Sequence, residues 1–397
     1  MIGISRLLCG RPEASDPLRY GTHAGNEHSA QADCPPRRKP VVVWNCTPRC
    51  NLACVHCYSA SSDAACPDEL TAAQAAAMLE DLAAFGVPAI LFSGGEPLLR
   101  ADLTELIARA AGLGMRAVVS TNGTLVDAPT ARRLRQAGTS YVGVSLDGAE
   151  STHDQFRGRA GAFEAALEGI RNCRRAGIKV GLRFTMTRRN AADIAFAFSL
   201  LRDEDILRGC FYHLVYSGRG ASLAREDLDR QARRAAVDAI IDHTAELHRQ
   251  GLAKEILTVD NHADGAYLYL RMASRSDPRA DEVMSLLRRN GGNSCGAGIG
   301  CVSWDGSVHP DQFWRTVVLG NVNERPFSKI WADESIPLLA ALRNRAARLK
   351  GRCAACRFLD ICNGNSRARA EATTGDIWEA DPACYLSDEE IAPDRPE

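Results

Sequence analysis

The sequence predicts an α/β fold: a partial (β/α)6 barrel followed by a smaller, cysteine-rich domain. Three observations predict it. Between about residues 40 and 220, six apolar β-type runs alternate with amphipathic helical stretches, the pattern of a parallel sheet with crossover helices. Each β-type run ends in a distinctive polar loop, and loops that follow the strands of a barrel share one rim, where active sites collect. Over the last hundred residues Gly and Cys rise and the strands shorten.

These patterns divide the chain into a polar lead-in (1–39), the barrel (40–223), a helical connection (224–292) and the C-terminal domain (293–397). A length of 397 residues suits one large domain and a smaller one, and 45% hydrophobic content supplies a core. The formal net charge of −1 gives no electrostatic case for nucleic acid. No stretch is apolar enough to span a bilayer, and the N-terminus lacks the run of a signal peptide. A cytoplasmic chain without membrane or nucleic-acid partners is expected.

The elements follow in order. Run Val41–Cys46 leads into Cys50-Asn-Leu-Ala-Cys54-Val-His-Cys57. After helical Thr71–Phe85, run Ala89–Ser93 ends in Ser93-Gly-Gly-Glu-Pro97. Helical Leu103–Leu113 precedes run Ala117–Ser120 and its loop Ser120-Thr-Asn-Gly123. Helical Ala128–Ala137 precedes Tyr141–Ser145 and Ser145-Leu-Asp-Gly148. Helical Phe163–Ala176 precedes Val180–Thr185, which ends in Arg183-Phe-Thr-Met-Thr187. Helical Ala191–Leu201 precedes Cys210–Tyr216 and Tyr216-Ser-Gly-Arg-Gly220. The connection reads as helical over Arg225–Gln250 and Asp281–Arg289. In the C-terminal domain, Gly300–Trp304 and Val317–Gly320 read as short strands, with Trp304-Asp-Gly306-Ser as a hairpin turn.

Ten of the fifteen cysteines fall in three groups: Cys46, Cys50, Cys54 and Cys57; Cys295 and Cys301; Cys353, Cys356, Cys362 and Cys384. A disulfide framework suits small secreted domains, which this chain is not, so metal centres are expected. Three thiolates on a cubic iron–sulfur cluster leave one iron open to a ligand. The last group supplies four thiolates. Structural zinc stands beside an iron–sulfur cluster as its reading.

The Cys-x3-Cys-x2-Cys loop after a first strand, with Gly-Gly-Glu-Pro after a second, resembles the radical S-adenosylmethionine (SAM) enzymes over about residues 40–220. That resemblance implies a TIM-like partial barrel and a [4Fe–4S] cluster on Cys50, Cys54 and Cys57. It also implies SAM chelated to the open iron and cleaved to a 5′-deoxyadenosyl radical. Carried onto this chain, it places Gly94, Gly95 and Glu96 at the methionine amino group and Ser120 and Asn122 on SAM. Ser145 and Asp147 fall at the ribose. Arg183 suits the SAM carboxylate, with a surface salt bridge as the alternative. His56 is read as an adenine neighbour and Cys46 as a buried, inert thiol.

The C-terminal cysteines resemble the SPASM (twitch-like) extension of that family. This implies an auxiliary [4Fe–4S] cluster on Cys353, Cys356, Cys362 and Cys384. Full members carry two, but here Ser366 stands where a cysteine of the second set is expected. Cys295 and Cys301 therefore stay open between three readings: a cluster completed by His309 or Asp311, substrate contacts including iron ligation, and relics.

Four stretches, Met1-Ile-Gly-Ile-Ser, His213–Gly220, Val308–Trp314 with Leu319–Val322, and Asp381–Tyr385, resemble the tetrapyrrole-modifying branch of the family. The resemblance implies haem biosynthesis, with two acetate side chains removed from 12,18-didecarboxysirohaem to give Fe-coproporphyrin III. The alternatives are removal of two propionates from the same substrate in d-type haem synthesis, and peptide modification. Breaking the bond to a saturated ring carbon restores conjugation, and the auxiliary cluster is read as the electron acceptor. An anaerobic reaction driven by a low-potential donor such as flavodoxin or ferredoxin is implied. Arg183, Tyr216 and Arg219 are expected at the reacting centre. Arg157, Arg159, Arg219 and Arg315 are candidates for substrate carboxylates, or surface charges. His213 and His309 are candidates for the substrate iron, with a core histidine as the alternative for His213. Tyr216, Tyr267 and Trp314 either stack on the macrocycle or pack in the core.

Overall fold

The computed structural model describes residues 1–21 and 38–393, so most of the lead-in lies outside the described residues. Eleven strands form one sheet: β1 (Ile2–Gly3), β2 (Val41–Thr47), β3 (Ala89–Gly94), β4 (Arg116–Thr121), β5 (Tyr141–Ser145), β6 (Val180–Met186), β7 (Arg208–His213), β8 (Glu255–Val259), β9 (Ile299–Val302), β10 (Ser307–His309) and β11 (Gly320–Asn321). Their order is β1-β8-β7-β6-β5-β4-β3-β2-β9-β10-β11. From β2 to β8 every neighbour pairs in parallel. The sheet curves as a partial barrel and does not close: β1 and β11 are its free edges.

Side-chain alternation along the strands separates core from cavity. Val42, Trp44, Ile90, Phe92, Val142, Val144, Leu182, Phe184 and Phe211 are buried in one hydrophobic core with residues of the surrounding helices. Their sequence neighbours Val43, Leu91, Ser93, Ser145, Arg183 and Tyr212 line a cavity on the other face. The helix Ala72–Phe85 begins at a capping box, with Thr71 accepting from the Gln74 N–H while the Gln74 side chain accepts from the Thr71 N–H.

Several elements depart from the sequence reading. The stretch 224–292 contains the two expected helices, as Arg230–Arg249 and Ala280–Asn290, together with a further helix, Ala263–Ala273, and β8, a seventh parallel strand. The first residues of the lead-in are built into the domain: β1 pairs with β8, and Ile2, Ile4 and Leu7 are buried. Below the sheet, Ser15, Arg19 and Arg208 all donate to Glu255 at the start of β8. The run Cys210–Tyr216 is displaced, its strand being β7, Arg208–His213. Val317–Gly320 is likewise replaced by the shorter β11, Gly320–Asn321. The expected hairpin is present, with β9 and β10 antiparallel and Gly306 at φ +87° in the turn. Because β9 pairs in parallel with β2, the C-terminal domain continues the barrel sheet.

Candidate active site and cysteine centres

The three-cysteine loop leaves the C-terminal end of β2 and folds against its neighbours through main-chain bonds. The Cys50 N–H donates to Ser62 O at 2.8 Å, Val55 N–H to Phe156 O at 2.9 Å, and Gly95 N–H to Thr47 O at 2.8 Å. A Cβ on Gly95 would stand 2.0 Å from Arg49 O, and one on Gly94 (φ +126°) 2.4 Å from Thr47 O. The glycine pair therefore lets the second loop close onto the first. Arg219 locks the loop from below, its Nε donating to Cys54 O and its Nη1 to Ser61 O, both at 2.8 Å.

Cys50, Cys54 and Cys57 line one end of a cavity of about 980 Å³. Its walls include Leu52, His56, Tyr58, Gly94, Gly95, Ser120, Asn122, Ser145, Arg157, Arg183, Thr185 and Tyr212. Of the residues expected at SAM, the structure brings together Gly94, Gly95, Ser120, Asn122, Ser145 and Arg183. Arg183 donates to the Ser120 hydroxyl, and its buried Nε has no partner. Gly143 makes room for it, since a Cβ there would meet Nε at 2.4 Å. The surface salt bridge held as the alternative for Arg183 is absent among the described residues, and a ligand carboxylate fits the orphaned N–H.

Two expected contacts are turned elsewhere. The Glu96 carboxylate is fully buried and accepts from the Thr121 hydroxyl (2.8 Å), the Asn122 N–H (2.8 Å) and the Leu98 N–H (3.2 Å). It braces the loops after β3 and β4, and burial pushes its pKa up to about 7. Asp147, also fully buried, pairs with Arg157 and accepts from the Thr185 N–H at 2.7 Å, with His56 Nε2 at 3.5 Å. Burial opposes its ionisation, yet Arg157 holds its pKa below the usual range. His56 does line the cavity, and burial lowers its pKa to about 4, so the ring is neutral.

Tyr216 and Arg219 stand outside the cavity lining. The Tyr216 hydroxyl donates to Asp227, which also pairs with Arg233, so the tyrosine points into the framework rather than the reacting centre. Arg219 holds the cysteine loop through Nε and Nη1, and its buried Nη2 has no partner. Arg157 faces Cys54 and Asp147, Arg315 donates to Ser59 O with its guanidinium over Trp304, and Arg159 is exposed. His213 is buried with Nε2 on Asp264 at 2.9 Å, and both nitrogens of His309 are occupied, by Ser303 and Val317 O. Trp314 and Tyr267 pack in the core, donating to Glu371 and Asp238.

Sequence reasoning missed Tyr58, Thr185, Tyr212, Gln312 and Phe313 in the cavity wall. Period-two alternation with Cys210 could have found Tyr212; Gln312 and Phe313 lie in the stretch Val308–Trp314 that the sequence singles out, but without a role assigned to either. These two come from the C-terminal domain, and Phe313 packs edge-on against Tyr58 at 5.1 Å.

Cys353, Cys356, Cys362 and Cys384 together line a second cavity, of about 420 Å³. Among the described residues no group of three or more His, Cys, Asp or Glu stands close enough to hold a single metal ion. Four thiols on one cavity wall are a donor set that fits a cubic iron–sulfur cluster. The other set is incomplete. Cys295 Sγ accepts from Arg345 at 3.4 Å, Cys301 Sγ from Asn45 at 3.4 Å, and Ser366 caps the helix Arg367–Thr374. Cys46 is fully buried, its thiol pushed up to about 12.

A thiol triad at the end of a parallel half-barrel, with an orphaned guanidinium N–H in the same cavity wall, suits a cluster with an open iron and a ligand that carries a carboxylate. The chain belongs to the radical SAM superfamily, whose model matches residues 44–201, and the SPASM iron–sulfur cluster-binding domain matches residues 295–357. Fe-coproporphyrin III synthase of Methanosarcina barkeri is 56% identical over 394 residues, 98% of this chain and 99% of that protein. Pre-heme d1 synthase of Dinoroseobacter shibae is 46% identical over 352 residues, 88% of this chain and 87% of that protein. A solved structure of native anSMEcpe with bound AdoMet shares the fold, with a TM-score of 0.67 at 18% identity over 87% of this chain and 94% of that one.

Proposed function

We propose that this chain removes two acetate side chains from 12,18-didecarboxysirohaem to give Fe-coproporphyrin III. The observation that carries this reading is the 56% identity, over nearly the full length of both chains, to an Fe-coproporphyrin III synthase. Cys50, Cys54 and Cys57 would hold the first cluster and Cys353, Cys356, Cys362 and Cys384 the auxiliary one. When bound, the first cluster supplies one electron to the sulfonium of SAM.

The chain's own residues do the rest. Arg183, braced by Ser120, would take the SAM carboxylate, and the Gly94–Gly95 backbone would lie along its methionine. Ser145 and Thr185 add hydroxyls on the same wall. Phe313 and Tyr58 close the mouth and keep water from a reactive centre. A low-potential reductant is the expected partner, and among the described residues no helix is long and apolar enough to cross a membrane.

The test is mass spectrometry of 12,18-didecarboxysirohaem after anaerobic turnover with SAM and reductant. Loss of two acetates is expected. Loss of two propionates would transfer the reading to a pre-heme d1 synthase, and an unchanged substrate would sink both.

A further inference from the structure

The three thiols of the loop do not have equal surroundings. Cys57 Sγ stands 3.3 Å from the Ser59 hydroxyl, and Cys50 Sγ 3.9 Å from the Asn122 amide. Among the described residues Cys54 Sγ alone of the three accepts a bond from a cation: Arg157 Nη1 donates to it at 3.5 Å. Arg157 ends the helix Glu150–Arg157 and is only 6% exposed. Its other terminal nitrogen pairs with Asp147, which is fully buried and anchored in turn by the Thr185 N–H. The same helix end clamps the loop by main chain, with Ala53 N–H donating to Arg157 O at 3.3 Å and Val55 N–H to Phe156 O at 2.9 Å. Those bonds do not depend on the Arg157 side chain. This helix end therefore holds the loop by backbone, beside the side-chain bonds of Arg219, and the Arg157 guanidinium is left to Cys54 and Asp147.

A fixed positive charge and an N–H aimed at a cluster sulfur stabilise the more negative, reduced state, and so raise the reduction potential. Arginine keeps that charge at every working pH. We propose that Arg157 sets the reduction potential of the cluster on Cys50, Cys54 and Cys57 through its charged bond to Cys54, and that Asp147 holds the guanidinium in place. The proposal rests on the reading that this triad holds the SAM-binding cluster. Arg157 acts through Cys54 and is a tuning residue, not one that touches substrate.

The experiment is a redox titration of the full-length reconstituted protein followed by electron paramagnetic resonance. The signal that changes on adding SAM identifies the triad's cluster and separates it from the auxiliary one. In Arg157→Met the SAM-responsive signal should titrate at a more negative potential, with iron content and SAM binding retained. Its ratio of reduced to oxidised cluster at a fixed poise should fall at least about tenfold, which is a shift of 59 mV for one electron. Arg157→Gln, which keeps an N–H but no charge, should fall between this variant and the parent, and Arg157→Lys should stay near the parent. Unchanged potentials in Arg157→Met and Arg157→Gln would overturn the proposal. Loss of the SAM-responsive cluster from both variants would also overturn it, by making Arg157 a folding residue. If no signal responds to SAM in the parent protein, it is the assignment of the triad that fails.

Discussion

A guanidinium inside a protein needs partners for its N–H groups, and an unpaired buried charge is costly. Arg183 has one side-chain partner, Ser120, and an orphaned Nε on the cavity wall. A charge-assisted bond to a ligand carboxylate contributes about 1.5–3 kcal/mol. Arg183→Met should therefore weaken SAM binding at least about tenfold, read by equilibrium dialysis, while the iron content stays constant. Glu96 gives a pH signature. Burial raises its pKa to about 7 from the ordinary 4.5, so the folded state holds a proton that the unfolded state has lost between those values. Stability from this group is full below pH 4.5 and falls as pH rises to 7, by about 3 kcal/mol in total. Urea unfolding of the apo-protein at pH 5 and pH 8 should show a loss smaller by about that amount in Glu96→Gln than in the parent, the remainder coming from other buried carboxyls such as Asp260 and Asp311. Residue types were legible in the sequence, but directions were not. Glu96 and Asp147 sit in the right loops, yet their carboxylates face partners fixed by tertiary packing: Thr121 and Asn122 for one, Arg157 and Thr185 for the other. The Arg157–Cys54 contact spans 103 residues, which no local pattern encodes.

At the scale of elements, the site depends on two loops that approach to van der Waals contact. The Gly94–Gly95 pair is where the chain cannot accept a side chain, because Thr47 O and Arg49 O occupy that space. Gly95→Ala should push the cysteine loop away. The reconstituted variant should hold about four irons in place of about eight, those of the C-terminal site remaining. Iron analysis with a SAM-induced spectral change checks this, and a full complement of iron would refute it. The six β/α units of the barrel were readable because long apolar runs and capped helices alternate in a fixed order. β8 was not, since five residues, Glu255–Val259, sit in a stretch dominated by helix. β1, two residues long, gains its identity only by pairing with β8.

Across the whole molecule, the C-terminal domain joins the barrel both through the sheet and through the cavity wall. Its strands extend the sheet through β9, and Gln312 and Phe313 enter the cavity wall. The domain that carries Cys353, Cys356, Cys362 and Cys384 thus shares its sheet and one cavity wall with the site of the cysteine triad. Cys353→Ala should lose the auxiliary cluster yet still cleave SAM to 5′-deoxyadenosine, with conversion of the tetrapyrrole blocked; equal product yield from this variant and the parent would remove the auxiliary site from the reaction. The measurement that bears most directly on the whole account is iron content combined with paramagnetic resonance before and after SAM. It compares the parent protein with a variant in which Cys50, Cys54 and Cys57 are all alanine. The parent should hold about eight irons in two clusters, one of which responds to SAM, and the variant about four with no response. A SAM response that survives loss of the three cysteines would contradict the account.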